Sequence, residues 1–211
     1  KVVISTNVAE SSITIDGIVY VIDSGLEFTE YYYSNKMVRS LVEEYAPQSS
    51  IIQRKGRAGR TKPGVCYHLY TEKHFNTLPK YTIPGIQKSD ITNDILNLMN
   101  LDYIKNVYDV KNLLNEFISP PSSKLIQSSL NILYALNAIT NNTNNGKITE
   151  MGRAISLFRV IKPNMSRSII ESYFNGCYHD LIDIVACLNI ADGMLENIFL
   201  KFYPDKKKTV S

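Results

Sequence analysis

The sequence has 211 residues, 44% of them hydrophobic and 20% charged, with a formal net charge of +3. This is ordinary globular usage, which excludes wholesale disorder; no apolar run reaches the ~18 residues of a membrane span, and the charge is too small for the whole chain to bind nucleic acid by charge alone. Three cysteines (Cys66, Cys177 and Cys187) with no C-x-x-C pair argue against a disulfide framework or a zinc site and point to an intracellular protein.

Two β-branched runs, Val2–Ser5 and Ile18–Ile22, flank a polar, small-residue stretch from Asn7 to Asp16. Continuous apolar runs joined in this way predict parallel strands of an α/β sheet. A domain rarely begins on a central strand, so the sequence reads as a fragment. Residues 27–45 alternate polar and apolar about Ser34-Asn35-Lys36, which predicts a β-hairpin.

From residue 86 the period becomes helical. Ile91, Ile95, Leu98 and Met99 form one stripe, and Val110, Leu113, Leu114, Phe117 and Ile118 form a second. Pro120-Pro121 breaks the chain, and Ser122 or Ser123 caps a third helix carrying Ile126, Leu130 and Leu133. A polar turn, Asn141 to Gly146, leads to a short strand at Lys147-Ile148-Thr149, so three helices and a hairpin predict a winged helix. Two more helices follow. One starts near Asn164 and stops at Gly176, and the other starts near Asp180 with Leu181, Ile184, Val185 and Leu188 on its stripe. The Lys206-Lys207-Lys208 run is expected to be a solvated tail.

Net charge by segment is +2 over 1–85, −1 over 86–152 and +2 over 153–211. A near-neutral middle segment argues against a free-standing DNA-binding winged helix. His68, His74 and His179 have no i+4 partner and no C-x-x-C pair beside them, so no metal site is expected.

The chemistry concentrates in Gln53-Arg54-Lys55-Gly56-Arg57-Ala58-Gly59-Arg60-Thr61. Gln53, Arg57 and Arg60 fall at i, i+4 and i+7, which on a helix is one face. Gly56 and Gly59 each cost a helix about 1 kcal/mol relative to Ala, a cost accepted where something approaches the backbone closely. Residues 54–62 hold five cations and no acid, so the cluster calls for an anion, and guanidinium groups match phosphate oxygens. Two arginines with a Gln that orients water is a set suited to phosphoryl transfer.

Gln53–Arg60 resembles motif VI of the superfamily 2 helicases, in the form found in DEAH-box RNA helicases. Thr6-Asn7-Val8-Ala9-Glu10-Ser11-Ser12-Ile13-Thr14-Ile15-Asp16-Gly17 resembles motif V of the same family. The resemblance continues through Tyr67–Glu72, Ile83–Gln87, Leu133–Ile139, Lys147–Arg153 and Ile184–Leu188, and so covers nearly the whole chain.

The resemblance implies an α/β plus mostly α fold: the C-terminal half of a second RecA-like domain over 1–85, a winged helix over 86–152 and the start of a helical ratchet bundle over 153–211. It implies arginine fingers at Arg57 and Arg60, a water-placing residue at Gln53, nucleotide contacts at Gly56 and at the motif V acid Asp16, and a grip on the sugar-phosphate backbone by Thr6, Asn7, Ser11 and Thr14. Such a grip holds phosphates without reading bases. It further implies ATP and Mg²⁺ as cofactors, single-stranded RNA as ligand, 3′-to-5′ movement, a monomer, and a regulatory protein on the winged-helix or ratchet surface. Nucleus, cytoplasm and viral factory all remain open as locations.

The segment Glu27–Tyr45 falls where the family carries a hairpin near the bound strand; strand separation by Tyr31, Tyr32 and Tyr33 is one reading and packing against the sheet another. The sequence departs from the family pattern at Lys55, Ser11 and Gly85, and it holds no G-x-x-x-x-G-K-S/T loop and no Asp-Glu-x-His box. The chain alone is therefore expected not to hydrolyse ATP. A helicase acting on DNA or mixed duplexes, and a non-enzymatic docking module, are the alternative readings.

Overall fold

The computed structural model describes residues 2–11, 15–34, 36, 38–60 and 62–190, without the side chain of Ser11. The chain divides into two compact units, residues 1–90 and 91–211.

The first unit opens on an irregular segment, residues 2–6, that leads into the short helix α1 (Val8–Ser11). Val2–Ser5, expected as a strand, is not one. Val2 is 88% and Ile4 96% exposed, and among the described residues no strand lies beside them. Without a ladder partner the backbone groups of this run turn to water, whatever its β propensity.

The second apolar run does form a strand, β1 (Tyr20–Asp23). Strands β2 (Leu26–Tyr33) and β3 (Val38–Tyr45) then make the expected antiparallel hairpin, in register from Leu26↔Tyr45 to Tyr33↔Val38. After it come α2 (Gln48–Ala58) and β4 (Val65–His68), and β4 pairs in parallel with β1 from Tyr20↔Val65 to Asp23↔His68. A parallel pair needs a crossover connection, and α2 lies against both strands. Helices α3 (Glu72–Thr77) and α4 (Gly85–Lys88) complete the unit.

Helix α2 begins at Pro47, which offers no side-chain cap. Its first amides are satisfied from outside: Gln48 N–H donates to the Pro79 carbonyl at 2.9 Å, and Ser49 N–H donates to that of Lys80 at 3.0 Å. The Gln48 side-chain amide donates to the carbonyls of Phe75 and Leu78. The start of α2 is thereby pinned to the end of α3, over a small core of Ala46, Ile51 and Leu78 flanked by Tyr70 and Phe75. At the other end Gly64 returns the chain to β4. A Cβ there would lie 2.0 Å from the Ala58 carbonyl oxygen and 2.5 Å from that of Val19, so only glycine fits.

The second unit is helical. Helices α5 (Thr92–Met99), α6 (Val107–Asn115) and α7 (Ser123–Ala135) follow the three predicted stripes, with Ile91, Ile95, Met99, Val110, Leu114, Ile126, Leu130 and Leu133 all buried. Ser122 caps α7 by accepting from Leu125 N–H, and Asn106 and Asp109 form a reciprocal capping box on α6. Phe117 and Ile118, expected on the α6 stripe, lie past its end and are exposed, because the helix stops at Asn115. The strand expected at Lys147–Thr149 is reduced to one antiparallel bridge, Ile139↔Ile148, flanked by Thr140 N–H to Lys147 O and Thr149 N–H to Ala138 O.

Helix α8 (Glu150–Ser156) starts from a Thr149 cap. Helix α9 (Pro163–Phe174) starts one residue earlier than expected, with Pro163 in its first turn where a missing N–H costs nothing. Gly176, at φ 73°, takes the left-handed turn into α10 (Tyr178–Ile190). On α10 Val185 is buried, while Ile184 is exposed. The Lys206–Lys208 run lies outside the described residues. Among the described residues no helix is long and apolar enough to cross a membrane.

Candidate nucleotide and nucleic-acid site

Helix α2 has two chemically distinct sides. Ile51, Arg54 and Ala58 are spaced i, i+3 and i+7 and face the body of the unit; Ile51 and Ala58 are buried. Gln53 and Gly56 lie exposed on another side with the half-buried Arg57. Among the described residues, a Cβ at Gly56 or Gly59 meets no side chain or backbone from outside its own stretch of chain within 4 Å, so packing there does not require either glycine. The helix ends at Ala58, and Gly59 closes it at φ −102°. Arg60 therefore stands two residues beyond the helix, exposed, and does not continue the Gln53–Arg57 face as the spacing alone predicts. Gly59 is the physical reason, since glycine is a poor helix former and an easy stop.

The five cations of residues 54–62 are not one cluster. Arg54 turns inward and finds its anions inside the chain. Its Nε donates to Glu10 Oε2 at 3.1 Å, its Nη1 to Asp23 Oδ1 at 3.1 Å and to the Leu26 carbonyl at 3.0 Å, and its Nη2 to Glu27 Oε2 at 3.2 Å. The side chains of this network are 14% (Arg54), 12% (Glu10), 1% (Asp23) and 7% (Glu27) exposed. One guanidinium thus faces three carboxylates. Burial works against the Arg54 charge, but the hydrogen bonds it donates to Asp23 and Glu10 outweigh this and hold its pKa above the ordinary value. Burial pushes the Glu27 carboxyl up, and Arg54 only partly opposes this.

Asp23 carries further contacts. Its Oδ1 accepts from Gly25 N–H, and its Oδ2 accepts the Tyr70 hydroxyl at 2.8 Å. Gly25, at φ 75°, lies beneath the Tyr70 ring, where a Cβ would come within 2.6 Å of a ring carbon.

Arg57 reaches the same region from the outer side. Its Nε donates to the backbone carbonyl of Glu10 at 2.8 Å, and its Nη2 donates to the same oxygen. Glu10 sits on α1, so both its carboxylate and its carbonyl are held by α2. This brings the Thr6–Ser11 segment against the arginine-bearing helix. Thr6 and Asn7 are exposed there, their carbonyls accepting from Ala9 and Glu10 N–H at the start of α1. Asp16 lies on an exposed turn with Gly17 at φ 78°. Thr14 and the side chain of Ser11 lie outside the described residues.

A parallel strand pair with a crossover helix that presents Gln and Arg, followed by a three-helix unit closed by a small bridge, is the architecture of a helicase C-terminal region. Comparisons with known proteins agree. Residues 1–62 match the helicase conserved C-terminal domain, and residues 129–160 match the helicase associated domain (HA2), winged-helix. The chain corresponds to the C-terminal region of the DEAH-box helicases.

Among relatives, it is 34% identical over 201 residues to the ATP-dependent RNA helicase L540 of Acanthamoeba polyphaga mimivirus, covering 95% of this chain and 28% of that protein. It is 38% identical to the ATP-dependent RNA helicase DHX35 of Homo sapiens, covering 95% and 26%, and 35% identical to DHR2 of Saccharomyces cerevisiae, covering 100% and 27%. The chain thus spans little more than a quarter of the curated relatives it matches. Among solved structures, the E. coli DExH-box NTPase HrpB shares the fold with a TM-score of 0.74 at 22% identity, over 87% of this chain and 21% of that one.

Sequence reasoning missed Arg54 as an internal hub, together with Glu10, Asp23 and Glu27. A signal was present: Arg54 falls three residues after Ile51 and four before Ala58, on the apolar side of the helix.

Proposed function

We propose that this chain is the part of an ATP-dependent RNA helicase that supplies the arginine fingers, and that the whole protein couples nucleotide hydrolysis to 3′-to-5′ movement on single-stranded RNA and to duplex unwinding or remodelling of RNA–protein complexes. The observation that carries this reading is the attachment of the Thr6–Ser11 segment to α2 through Glu10, with Gln53, Gly56 and Arg57 on the outer side of that helix and Arg60 just beyond it.

In this reading residues 1–85 belong to the second RecA-like domain, 86–152 to the winged helix and 153–211 to the ratchet bundle. Arg57 and Arg60 meet the charge that develops on the transferred phosphoryl group, and Gln53 orients the attacking water. The open approach over Gly56 admits a nucleotide close to the helix backbone, and Asp16 lies toward its ribose or water network. Thr6, Asn7, Ser11 and Thr14 hold strand phosphates through hydroxyl, amide and backbone N–H groups, which leaves the grip independent of sequence. The protein works inside the cell as a monomer, and its winged-helix and ratchet surfaces receive a regulatory protein.

Mg²⁺ belongs to the reaction class, but among the described residues no group of three or more ligating side chains could hold a metal ion. The described residues therefore do not fit the ion, and no step here runs through it.

The test is Arg60→Ala in the full-length protein, with RNA-stimulated phosphate release as the measurement. The expected result is loss of stimulated hydrolysis with the thermal unfolding midpoint unchanged; near-normal turnover overturns the reading. Matched RNA and DNA duplexes in the same unwinding assay separate an RNA helicase from one that accepts DNA.

A further inference from the structure

Four interactions converge on one side chain that the proposed chemistry does not use. Arg54 lies next to Gln53 in sequence but points away from it, into the body of the unit. There it touches α1 through Glu10, the end of β1 through Asp23, and the root of the β2–β3 hairpin through the Leu26 carbonyl and Glu27. These three places belong to different elements, separated from Arg54 by 44, 31 and 27 residues of chain in the pairings with Glu10, Asp23 and Glu27. A planar guanidinium has five N–H donors in a fixed fork, so one arginine can set several acceptors at defined angles to its own helix.

The hairpin itself is stiffened near the same root. Tyr31 donates its hydroxyl to Glu44 across the two strands at 2.9 Å, and Lys88 of α4 stands over the Tyr31 ring, 5.8 Å from its centroid. The root of this braced hairpin is tied to α2 through the Arg54–Glu27 ion pair and the Arg54–Leu26 hydrogen bond. Glu10, at the opposite end of the same guanidinium, also carries the carbonyl that Arg57 holds.

We infer that Arg54 is a positioning residue that locks the arginine-bearing helix α2 to the strand-gripping α1 segment and to the root of the β2–β3 hairpin, so that nucleic acid bound at either is felt by Arg57 and Arg60. The inference rests on the proposed helicase reading and adds to it a route by which the strand stimulates hydrolysis. Arg54 touches neither reactant; it acts through the elements it holds.

The network also says which variants remain folded. Three carboxylates share one guanidinium, so removing Glu27 leaves no buried cation without a partner. Removing Arg54 strands three acids, a change that threatens the fold itself. Glu27→Ala is therefore the informative variant and Glu27→Gln its rescue, because an amide oxygen still accepts from Nη2. Arg54→Lys keeps the charge but loses the fork, since one ammonium cannot reproduce the directions of the guanidinium.

The experiment measures nucleotide turnover of the full-length protein with and without single-stranded RNA, alongside the thermal midpoint. The expected result for Glu27→Ala and Arg54→Lys is unchanged basal turnover with the RNA-stimulated increment reduced about fivefold or more, as for a coupling free energy between two sites. Glu27→Gln is expected to recover most of that increment. Should Arg54→Lys fail to fold, Glu27→Ala decides the matter. A stimulated increment within about twofold of the parent in Glu27→Ala overturns the proposal, as does a proportional fall of basal and stimulated rates together. Full turnover in the Arg60→Ala control overturns the helicase reading and this inference with it; a dead Arg60→Ala beside a fully stimulated Glu27→Ala overturns this inference alone.

Discussion

Arg57 spends two of its donors, Nε and Nη2, on a single acceptor, the backbone carbonyl of Glu10. A phosphate offers a guanidinium several charged oxygens in matching geometry, where a carbonyl offers one neutral oxygen. The contact holds Arg57 toward α1 on the outer side of α2. In the full-length protein Arg57→Ala is expected to lower RNA-stimulated turnover by a factor on the order of 10³, the scale of a missing arginine finger. Arg57→Lys is expected to restore little of it, because an ammonium presents its three donors from a single nitrogen and lacks the planar fork that spans the carbonyl and a phosphoryl oxygen. Steady-state phosphate release decides; retention of half the parent rate by Arg57→Ala rules the role out.

Two glycines, one inside α2 and one just beyond it, make opposite predictions. Gly64 is wedged under the Ala58 and Val19 carbonyls, so Gly64→Ala is expected to destabilise the first unit by about 1–3 kcal/mol through overpacking. Gly56 sits inside α2 with no atom within 4 Å of a Cβ, so Gly56→Ala is expected to stabilise the helix by up to about 1 kcal/mol. The same change narrows the approach to the outer side of the helix and is expected to raise the KM for nucleotide in the full-length protein. Denaturant unfolding measures the first pair of effects and steady-state kinetics the last. A Gly56→Ala protein that is both more stable and kinetically normal removes Gly56 from the nucleotide site.

The parts of this fold that local pattern dictates were legible. The hairpin about Ser34-Asn35-Lys36, the three helical stripes after residue 86 and the caps at Ser122 and Gly176 each rest on spacing or on a single residue's conformational freedom. Features that depend on distant chain were not. Val2–Ser5 has the composition of a strand, but a strand exists only where another pairs with it. Ile184 fits an apolar stripe, yet in the second unit it is exposed.

At the site, the i, i+4 relation of Gln53 and Arg57 held because both lie within α2, whereas Gly59 took Arg60 off the helix. The role of Arg54 was hidden for a different reason. A basic run read along the chain looks like one patch, and only the tertiary fold reveals that Glu10, Asp23 and Glu27 already neutralise one member of it.

The capping box on α6 offers a clean test of local energetics in the second unit. Asn106 accepts from Asp109 N–H at 3.1 Å, and Asp109 Oδ2 accepts from Asn106 N–H at 3.2 Å and from Lys105 N–H at 2.8 Å. Asn106→Ala removes one cap of this reciprocal pair and is expected to cost about 1 kcal/mol. Asp109→Asn keeps an acceptor but discards the favourable charge in the first turn, and is expected to cost less, about 0.3–1 kcal/mol, with a dependence on salt. Thermal unfolding at low and high salt separates the two, because only the Asp109 effect is screened.

Alkaline pH tests the Asp23–Tyr70 contact. Burial raises the Tyr70 hydroxyl well above its ordinary value of 10.0, and the hydrogen bond it donates to Asp23 raises it further. A group whose folded pKa is raised contributes stability that is complete below the unfolded value and is lost as pH climbs past it toward the folded one. The unfolded chain therefore releases the Tyr70 proton near pH 10, while the folded chain still holds it. Tyr70→Phe is expected to be the less stable protein at neutral pH, with the gap to the parent closing above about pH 10. The closing rate is at most about 1.4 kcal/mol per pH unit, and less to the extent that water reaches the half-buried ring. Tyr31 and Tyr32 are also raised, by burial first and then by Glu44 and Asp90 respectively, so a phenolate absorbance titration of the folded parent should show late-titrating tyrosines of which Tyr70→Phe removes one. A stability gap that stays constant from neutral to strongly alkaline pH would show that the Asp23–Tyr70 contact does not favour the protonated hydroxyl.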